Sequence, residues 1–151
     1  AQDTVLVVFA EAIGKAECGG HVIVKFAPVI VPLDYIVVAG GDLYDVGCAD
    51  SFMIDSDALR AHCLKLVEEA GLTSVGDFFH QFDGAGGVTG MVVLAESHMS
   101  IHTWPEKNYV TVDVYVCSYS QDNRPRARQL YQSLLDTFQP QRENSHSVER
   151  L

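Results

Sequence analysis

A serine follows a glutamate at the end of an apolar run within the segment Leu94–Glu106. The hydroxyl of Ser97 can attack the carbonyl of the Glu96–Ser97 peptide bond and turn this amide into an ester. Elimination from the ester would release Glu96 as a carboxyl terminus and leave residue 97 as an N-terminal pyruvoyl group. Such a carbonyl can form a Schiff base with a substrate amine and accept the electrons of a departing carboxylate. The segment therefore predicts a chain that cuts itself and makes its own electrophile.

Two histidines follow the serine, and His102 lies five positions after Ser97. An imidazole is the side chain best suited to move protons near neutral pH. His98 and His102 have the i, i+4 spacing of a helical metal site, but Pro105 and the β-rich surroundings disfavour a helix, so we predict no metal site. The ordinary alternative for His102 is a partly buried histidine bonded to backbone, and for Ser97 alone it is a plain serine at a strand end.

Hydrophobic periodicity predicts the elements around this segment. The predicted strands cover 35–46, 75–82, 88–96 and 109–117, and the predicted helices cover 57–70 and 125–138. Both helices should cover one face of an antiparallel sheet, which gives an α+β fold, a two-layer sandwich.

The strand 109–117 has a clear alternation. Four valines take one face and should pack under the helices, namely Val110, Val112, Val114 and Val116. Cys117 falls on the opposite, more polar face, where a site or a second subunit could lie. The parity of the strand 88–96 does not by itself decide where Ser97 points.

The length of 151 residues fits a single domain, 1–151. Residues 1–34 contain strand-like runs, which include Thr4 to Ala10, His21 to Phe26 and Val29 to Val31, and these add strands or cap the sheet. We treat them as an atypical N-terminal segment. The tail 139–151 is polar, and we predict that it is flexible.

The formal net charge of −10 argues against a nucleic-acid partner, because little here would neutralise phosphates. It fits a cationic substrate only weakly, since many soluble proteins are acidic. Four cysteines show no C-x-x-C pairing and indicate a reducing compartment: Cys18, Cys48, Cys63 and Cys117. The sequence starts without a basic and then apolar signal region, and its apolar runs are interrupted, so we expect a cytoplasmic protein with neither export nor a membrane span.

The run Leu94–Glu106 resembles the signature of the bacterial and archaeal S-adenosylmethionine decarboxylases, pyruvoyl enzymes of polyamine and spermidine biosynthesis. The likeness extends through Phe79–Phe82, Gly87–Gly90 and Val112–Cys117, and loosely to Asp42–Tyr44, or about the last two thirds of the chain. It implies self-cleavage at 96/97, a pyruvoyl cofactor formed from Ser97, and a homo-oligomer of cleaved protomers.

The resemblance also implies roles for single residues. His102 acts in precursor processing, with substrate contact as a further role, and Thr89 stands where the family usually has a serine that supports processing. Cys117 resembles the proton donor, which a thiol can be because its pKa lies within reach of neutral pH. Glu106 corresponds to the carboxylate that holds the ribose hydroxyls of S-adenosylmethionine. Phe82 resembles the aromatic residue that stacks on adenine.

Besides Thr89, this chain departs from the family pattern at two further places. Ser118 follows Cys117 where the family has glycine, and the loop from Phe82 to Thr89 is one residue longer. The first-choice substrate is S-adenosylmethionine, and the alternative is a basic amino acid, arginine or ornithine, on the same scaffold. A third possibility is an inactive regulatory homologue, against which the presence of the catalytic serine, histidine and cysteine together argues.

Overall fold

The structure is a computed structural model that describes residues 5–10, 26–31, 36–84, 86–118 and 121–149. Its strands are β1 (Val5–Ala10), β2 (Phe26–Val31), β3 (Ile36–Val46), β4 (Ser74–Gln81), β5 (Val88–Leu94), β6 (Ser97–Trp104), β7 (Tyr109–Cys117) and β8 (Pro140–Glu149). Its helices are α1 (Ser51–Ile54), α2 (Ser56–Glu69) and α3 (Arg124–Phe138), with a 3-10 helix at Pro105–Lys107. None of the helices in these ranges is long and apolar enough to cross a membrane.

Six strands form one antiparallel sheet in the order β4-β5-β6-β7-β3-β8. Helix α2 lies on β4 and β5, helix α3 lies on β3 and β7, and the two helices contact each other. The predicted α+β sandwich is therefore confirmed. Strands β1 and β2 pair only with each other among the described residues, so these parts of the segment 1–34 form strands, while residues 21–25 lie outside the described ranges.

Helix α2 forms where its apolar periodicity predicts. The carboxylate of Asp55 accepts hydrogen bonds from the backbone N–H groups of Asp57 and Ala58, both at 3.0 Å, and so caps the first turn. Gly71 follows the helix at a φ of +72°, which glycine adopts without a steric penalty and which ends the helix. The buried side chains are Leu59, Cys63, Leu66 and Val67. The helix thus covers the sheet as expected, within one residue of the predicted range.

The sheet has one face covered by α2 and α3, and the opposite one is called the open face below. The four valines of β7 are at most 1% exposed and lie under the helices, as their alternation predicts. The open face carries the residues of the other parity. On β6 and β7 these form the cross-strand pairs His98–Tyr115, Ser100–Asp113 and His102–Thr111.

The predicted flexible tail is wrong for residues 140–149, which form β8 along β3. This strand lies at an edge of the sheet, and its side chains from Gln141 to Val148 are exposed. Backbone pairing therefore holds it, together with the guanidinium of Arg142, which lies 4.4 Å from the ring centre of Tyr44. An edge strand with polar side chains on both faces has no hydrophobic alternation, so its sequence reads as a tail.

Strand β6 also differs from the prediction. The predicted strand 88–96 ends at Leu94, and a second strand, Ser97–Trp104, starts after a short turn. Only Met99 and Ile101 provide an apolar alternation in β6, because its third inward residue is Thr103. That pattern is too short to indicate a strand, although the strand decides where the candidate site residues lie.

Candidate active site

The predicted cleavage bond lies in the tight turn between β5 and β6. Leu94 pairs with Ser97, so only Ala95 and Glu96 connect the two strands. Ser97 has a φ of +150°, a backbone angle that residues with a side chain rarely adopt. Such angles cost about 1–3 kcal/mol each and occur preferentially at functional sites. The strained angle thus belongs to the residue whose nitrogen forms the predicted cleavage bond.

The carbonyl group of that bond has a main-chain partner on β7. The backbone N–H of Cys117 donates a hydrogen bond of 2.8 Å to the carbonyl oxygen of Glu96. When the Ser97 hydroxyl attacks the carbonyl carbon, negative charge develops on this oxygen, and a fixed N–H donor stabilises it. The sequence indicated only the thiol of Cys117. The main-chain role depends on strand register, which leaves no signal in the residue types.

A loop from the helix layer holds the same turn on its other side. The backbone N–H of Thr73 donates to the Glu96 carboxylate at 3.2 Å, and the N–H of Ala95 donates to the carbonyl of Thr73 at 2.8 Å. The connection between α2 and β4 thereby fixes the orientation of the turn. Nothing in the sequence singled out Thr73.

The imidazole closest to the nucleophile along the chain is His98. Its Nδ1 lies 3.3 Å from the Ser97 hydroxyl oxygen, and its ring stacks on Tyr115 with a centroid distance of 5.4 Å and an interplanar angle of 8°. The stacking fixes the ring, so His98 can take up the proton of the attacking hydroxyl. The sequence singled out His98 only by its i, i+4 spacing to His102, a spacing that did not lead to a predicted metal site.

Cys117 lies beside this turn at the end of β7, where its backbone N–H contacts Glu96, and the residue is 2% exposed. Burial raises its pKa above the ordinary range of a thiol. The group therefore stays protonated at neutral pH, which is the form that a proton donor requires. Val116 is buried too, so the alternation of half-buried and buried residues along β7 ends at Cys117. This is the residue whose N–H bonds to the Glu96 carbonyl.

A second group of site residues lies further along the sheet. Thr89 and His102 are cross-strand partners, and the Thr89 hydroxyl oxygen lies 3.0 Å from Nδ1 of His102. The structure thus brings together the two residues to which the resemblance gives processing roles. Phe82 follows β4 with 49% of its surface exposed, and its ring meets His80 edge-on at 4.9 Å. Glu106 is exposed in the 3-10 helix after β6.

The structure does not bring the whole predicted site together within one chain. Ser97 begins β6 and His102 is five residues further on, which is about 16 Å along an extended strand. We call the first group the cleavage end: Glu96, Ser97, His98 and Cys117. We call the second group the histidine end: Phe82, Thr89, His102 and Glu106. His102 therefore lies well along β6 from Ser97 in the same protomer, and its role in processing stays a prediction.

Comparisons with known proteins agree with this fold. The family described as S-adenosylmethionine decarboxylase matches residues 40–151. An S-adenosylmethionine decarboxylase proenzyme of Archaeoglobus fulgidus is 32% identical over 104 residues, which cover 69% of this chain and 88% of that protein. The proenzyme of Fervidobacterium nodosum is 38% identical over 111 residues, 73% of this chain and 74% of that one.

Two further relatives extend the comparison. The proenzyme of Pseudomonas paraeruginosa is 37% identical over 106 residues, 68% of this chain and 64% of its own length. The crystal structure of the adenosylmethionine decarboxylase from Aquifex aeolicus is similar with a TM-score of 0.68 and 32% identity, and the match covers 78% of this chain and 91% of that one. The family match covers more than half of the chain, and the resemblance seen in the sequence is confirmed. This chain belongs to the S-adenosylmethionine decarboxylase family, a family of self-processing, pyruvoyl-dependent lyases.

Proposed function

We propose that this protein is a cytoplasmic proenzyme that cuts itself between Glu96 and Ser97 and then decarboxylates S-adenosylmethionine. The observation that carries the proposal is the geometry of the cleavage end. A strained serine lies next to a peptide carbonyl whose oxygen already accepts a hydrogen bond from Cys117.

In the first step, the Ser97 oxygen adds to the Glu96 carbonyl carbon while His98 takes the hydroxyl proton. The N–H of Cys117 holds the oxyanion. The C–N bond then breaks, its nitrogen takes up a proton, and an ester links Glu96 to the side chain of residue 97. Loss of this bond also releases the unfavourable φ angle of Ser97, which favours the forward direction.

In the second step, a base removes the α-proton of residue 97, the Cβ–oxygen bond breaks, and Glu96 leaves as a carboxylate. The remaining enamine rearranges to an imine, and water converts this imine to a ketone with release of ammonia. By resemblance His102 assists the elimination, and its bond to Thr89 orients the ring.

The cleavage end fits a pyruvoyl group, because Ser97 is its precursor and the protonated thiol of Cys117 lies beside it. The group supplies an electrophilic carbonyl that accepts the electrons of the departing carboxylate. Cys117 holds the proton that the substrate carbon needs after carbon dioxide has left.

Replacement of Cys117 separates the role of its thiol in decarboxylation from the role of its backbone N–H in self-cleavage. Cys117→Ala keeps the backbone N–H, so we expect self-cleavage to continue while decarboxylation falls by about 10²–10⁴-fold, the usual value of general acid catalysis. Because burial raises the thiol pKa, the native rate should persist above the ordinary thiol range and fall only as the pH passes the raised pKa. Rates measured against pH would show this limb in the native enzyme and equally in Cys48→Ser, a control at a half-buried cysteine. Near-normal turnover of cleaved Cys117→Ala would remove the thiol from the mechanism.

The separation of the two ends supports a homo-oligomer. If two copies stack their open faces around a two-fold axis that runs across the strands, the cleavage end of each meets the histidine end of the other. The open face offers a contact for this purpose, since Phe78, Met91 and Val93 are all more than 40% exposed there, and the first two are cross-strand partners. We propose that a second copy completes the site.

The substrate proposal depends on the exposed pair at the histidine end. Glu106 can accept two hydrogen bonds from a ribose diol, and Phe82 offers a flat apolar surface for adenine. A free amino acid would need neither group. Release of labelled carbon dioxide should therefore be much faster from S-adenosylmethionine than from arginine or ornithine.

A single substitution tests the diol contact. Glu106→Gln should raise the Michaelis constant for S-adenosylmethionine by about tenfold or more, because hydrogen bonds to a charged group contribute about 1.5–3 kcal/mol. Lys107→Gln, a change at the exposed neighbour, serves as the control and should leave this constant near its native value. Faster turnover of arginine or ornithine would instead support the alternative substrate class.

A further inference from the structure

The turn after β7 contains a buried hydrogen-bond network that the reaction steps above do not use. The side-chain amide of Asn123 donates to the carbonyl of Cys117 at 2.9 Å, and the backbone N–H of Asn123 donates to the hydroxyl oxygen of Ser118 at 3.0 Å. Asn123 is 1% exposed and Ser118 is 7% exposed. Polar groups buried to this degree are normally held by their hydrogen bonds, so the side chains of Ser118 and Asn123 have little freedom.

Asn123 is itself fixed to helix α3. Its backbone carbonyl accepts a 2.9 Å hydrogen bond from the N–H of Ala127, and its side-chain oxygen accepts one of 3.0 Å from the guanidinium of Arg126. Ala127 is fully buried against the sheet. The network therefore connects the first turn of α3 to the last residue of β7.

Both main-chain polar groups of Cys117 therefore have a hydrogen-bond partner. Its carbonyl bonds to Asn123, and its N–H bonds to the carbonyl of Glu96, the bond that the proposed reaction cuts. A hydrogen bond to an oxyanion is effective only when the donor is held in place beforehand. A small displacement of the Cys117 N–H would lengthen its hydrogen bond to the Glu96 carbonyl oxygen and weaken the stabilisation of the developing negative charge.

We propose that Ser118 and Asn123 are positioning residues for self-cleavage, which hold the Cys117 N–H in line with the Glu96 carbonyl oxygen. This inference rests on the proposed cut at Glu96–Ser97. The family signature has glycine after the cysteine, and glycine has no hydroxyl to accept the Asn123 N–H. The serine of this chain thus acts on the cleavage end through Asn123, which bonds to the Cys117 carbonyl.

The test measures the rate of self-cleavage of freshly synthesised full-length chain by denaturing electrophoresis. Ser118→Ala removes the acceptor and should slow cleavage by about tenfold, a part of the 10²–10³-fold effect of losing an oxyanion donor entirely. Ser118→Thr keeps the hydroxyl and should restore most of the rate. Asn123→Asp is the second variant if Ser118→Ala fails to fold, because it keeps the acceptor for Arg126 and removes the donor to Cys117. Thr137→Ala, which deletes a hydroxyl bonded to His62 at the other end of α3, is the control and should cleave at the native rate.

A second readout separates positioning from general stability. In the uncleavable Ser97→Ala chain, hydrogen exchange of the Cys117 amide, followed by NMR, should be about tenfold faster with Ser118→Ala and unchanged with Thr137→Ala. A native cleavage rate in folded Ser118→Ala, or an equally protected Cys117 amide, would overturn the inference. If the unsubstituted chain itself stays whole, the proposed function fails, and the exchange measurement still decides the role of Ser118 and Asn123.

Discussion

Coexpression of Ser97→Ala chains with His102→Ala chains is expected to yield cleaved and active protein, although each variant alone should yield almost none. The reason is the distance between the two ends of β6, about 16 Å, which one chain cannot bridge. In a mixed dimer, the intact Ser97 of one chain meets the intact His102 of the other. The opposite site of the same dimer lacks both residues.

The expected yield follows from random pairing. Half of the dimers are mixed and each has one complete site out of two, so about a quarter of the native number of sites should form. Cleaved product on a denaturing gel and carbon dioxide release both measure this fraction. The matched control pairs Ser97→Ala with Cys117→Ala, two changes at the same end, and should recover no decarboxylation. Failure of the first mixture to exceed its separate components would show that the histidine end does not act across the interface.

Purified native protein should give two fragments in denaturing mass spectrometry, residues 1–96 and residues 97–151, the latter beginning with a pyruvoyl group. Ser97→Ala should remain whole and inactive, because no hydroxyl is left to attack the Glu96 carbonyl. The effect is complete loss rather than a reduction, since no other nucleophile can generate the ketone at residue 97.

Ser100→Ala is the control for this cut. It removes the next serine of β6, half-buried on the open face, and should cleave at the native rate. A native chain that stays intact through prolonged incubation would contradict the enzyme proposal and would favour the inactive regulatory homologue.

Periodicity predicted the parts of this fold that bury an apolar stripe. The valines of β7 and the buried face of α2 have a regular spacing, and the structure has both elements within a residue of the expected ranges. Strand β8 has no such spacing, because main-chain bonds to β3 hold it while its side chains face solvent. Polar edge strands are stabilised by groups that every residue carries, and the sequence therefore cannot distinguish them from a loose tail.

The candidate site likewise has features that the sequence predicts and features that only the fold creates. The residue types around Ser97 predicted the self-cleavage chemistry. The structure pairs Thr89 with His102, and their roles in processing stay predictions. The main-chain donor at Cys117 and the anchor at Thr73 arise from register and loop placement, which have no residue signature. The separation of the two ends follows only once β6 is known to be one uninterrupted strand.

The strand order determines what becomes of the two fragments after the cut. Strands β3, β4 and β5 precede the cleavage bond and β6, β7 and β8 follow it, yet in the sheet β3 lies between β7 and β8. The fragments are thus interleaved, with three seams of backbone hydrogen bonds between them: β5 with β6, β7 with β3, and β3 with β8. Neither fragment can leave without opening the sheet. The cut molecule remains a single folded body, in which the new chain end at residue 97 stays anchored by the strand that it begins.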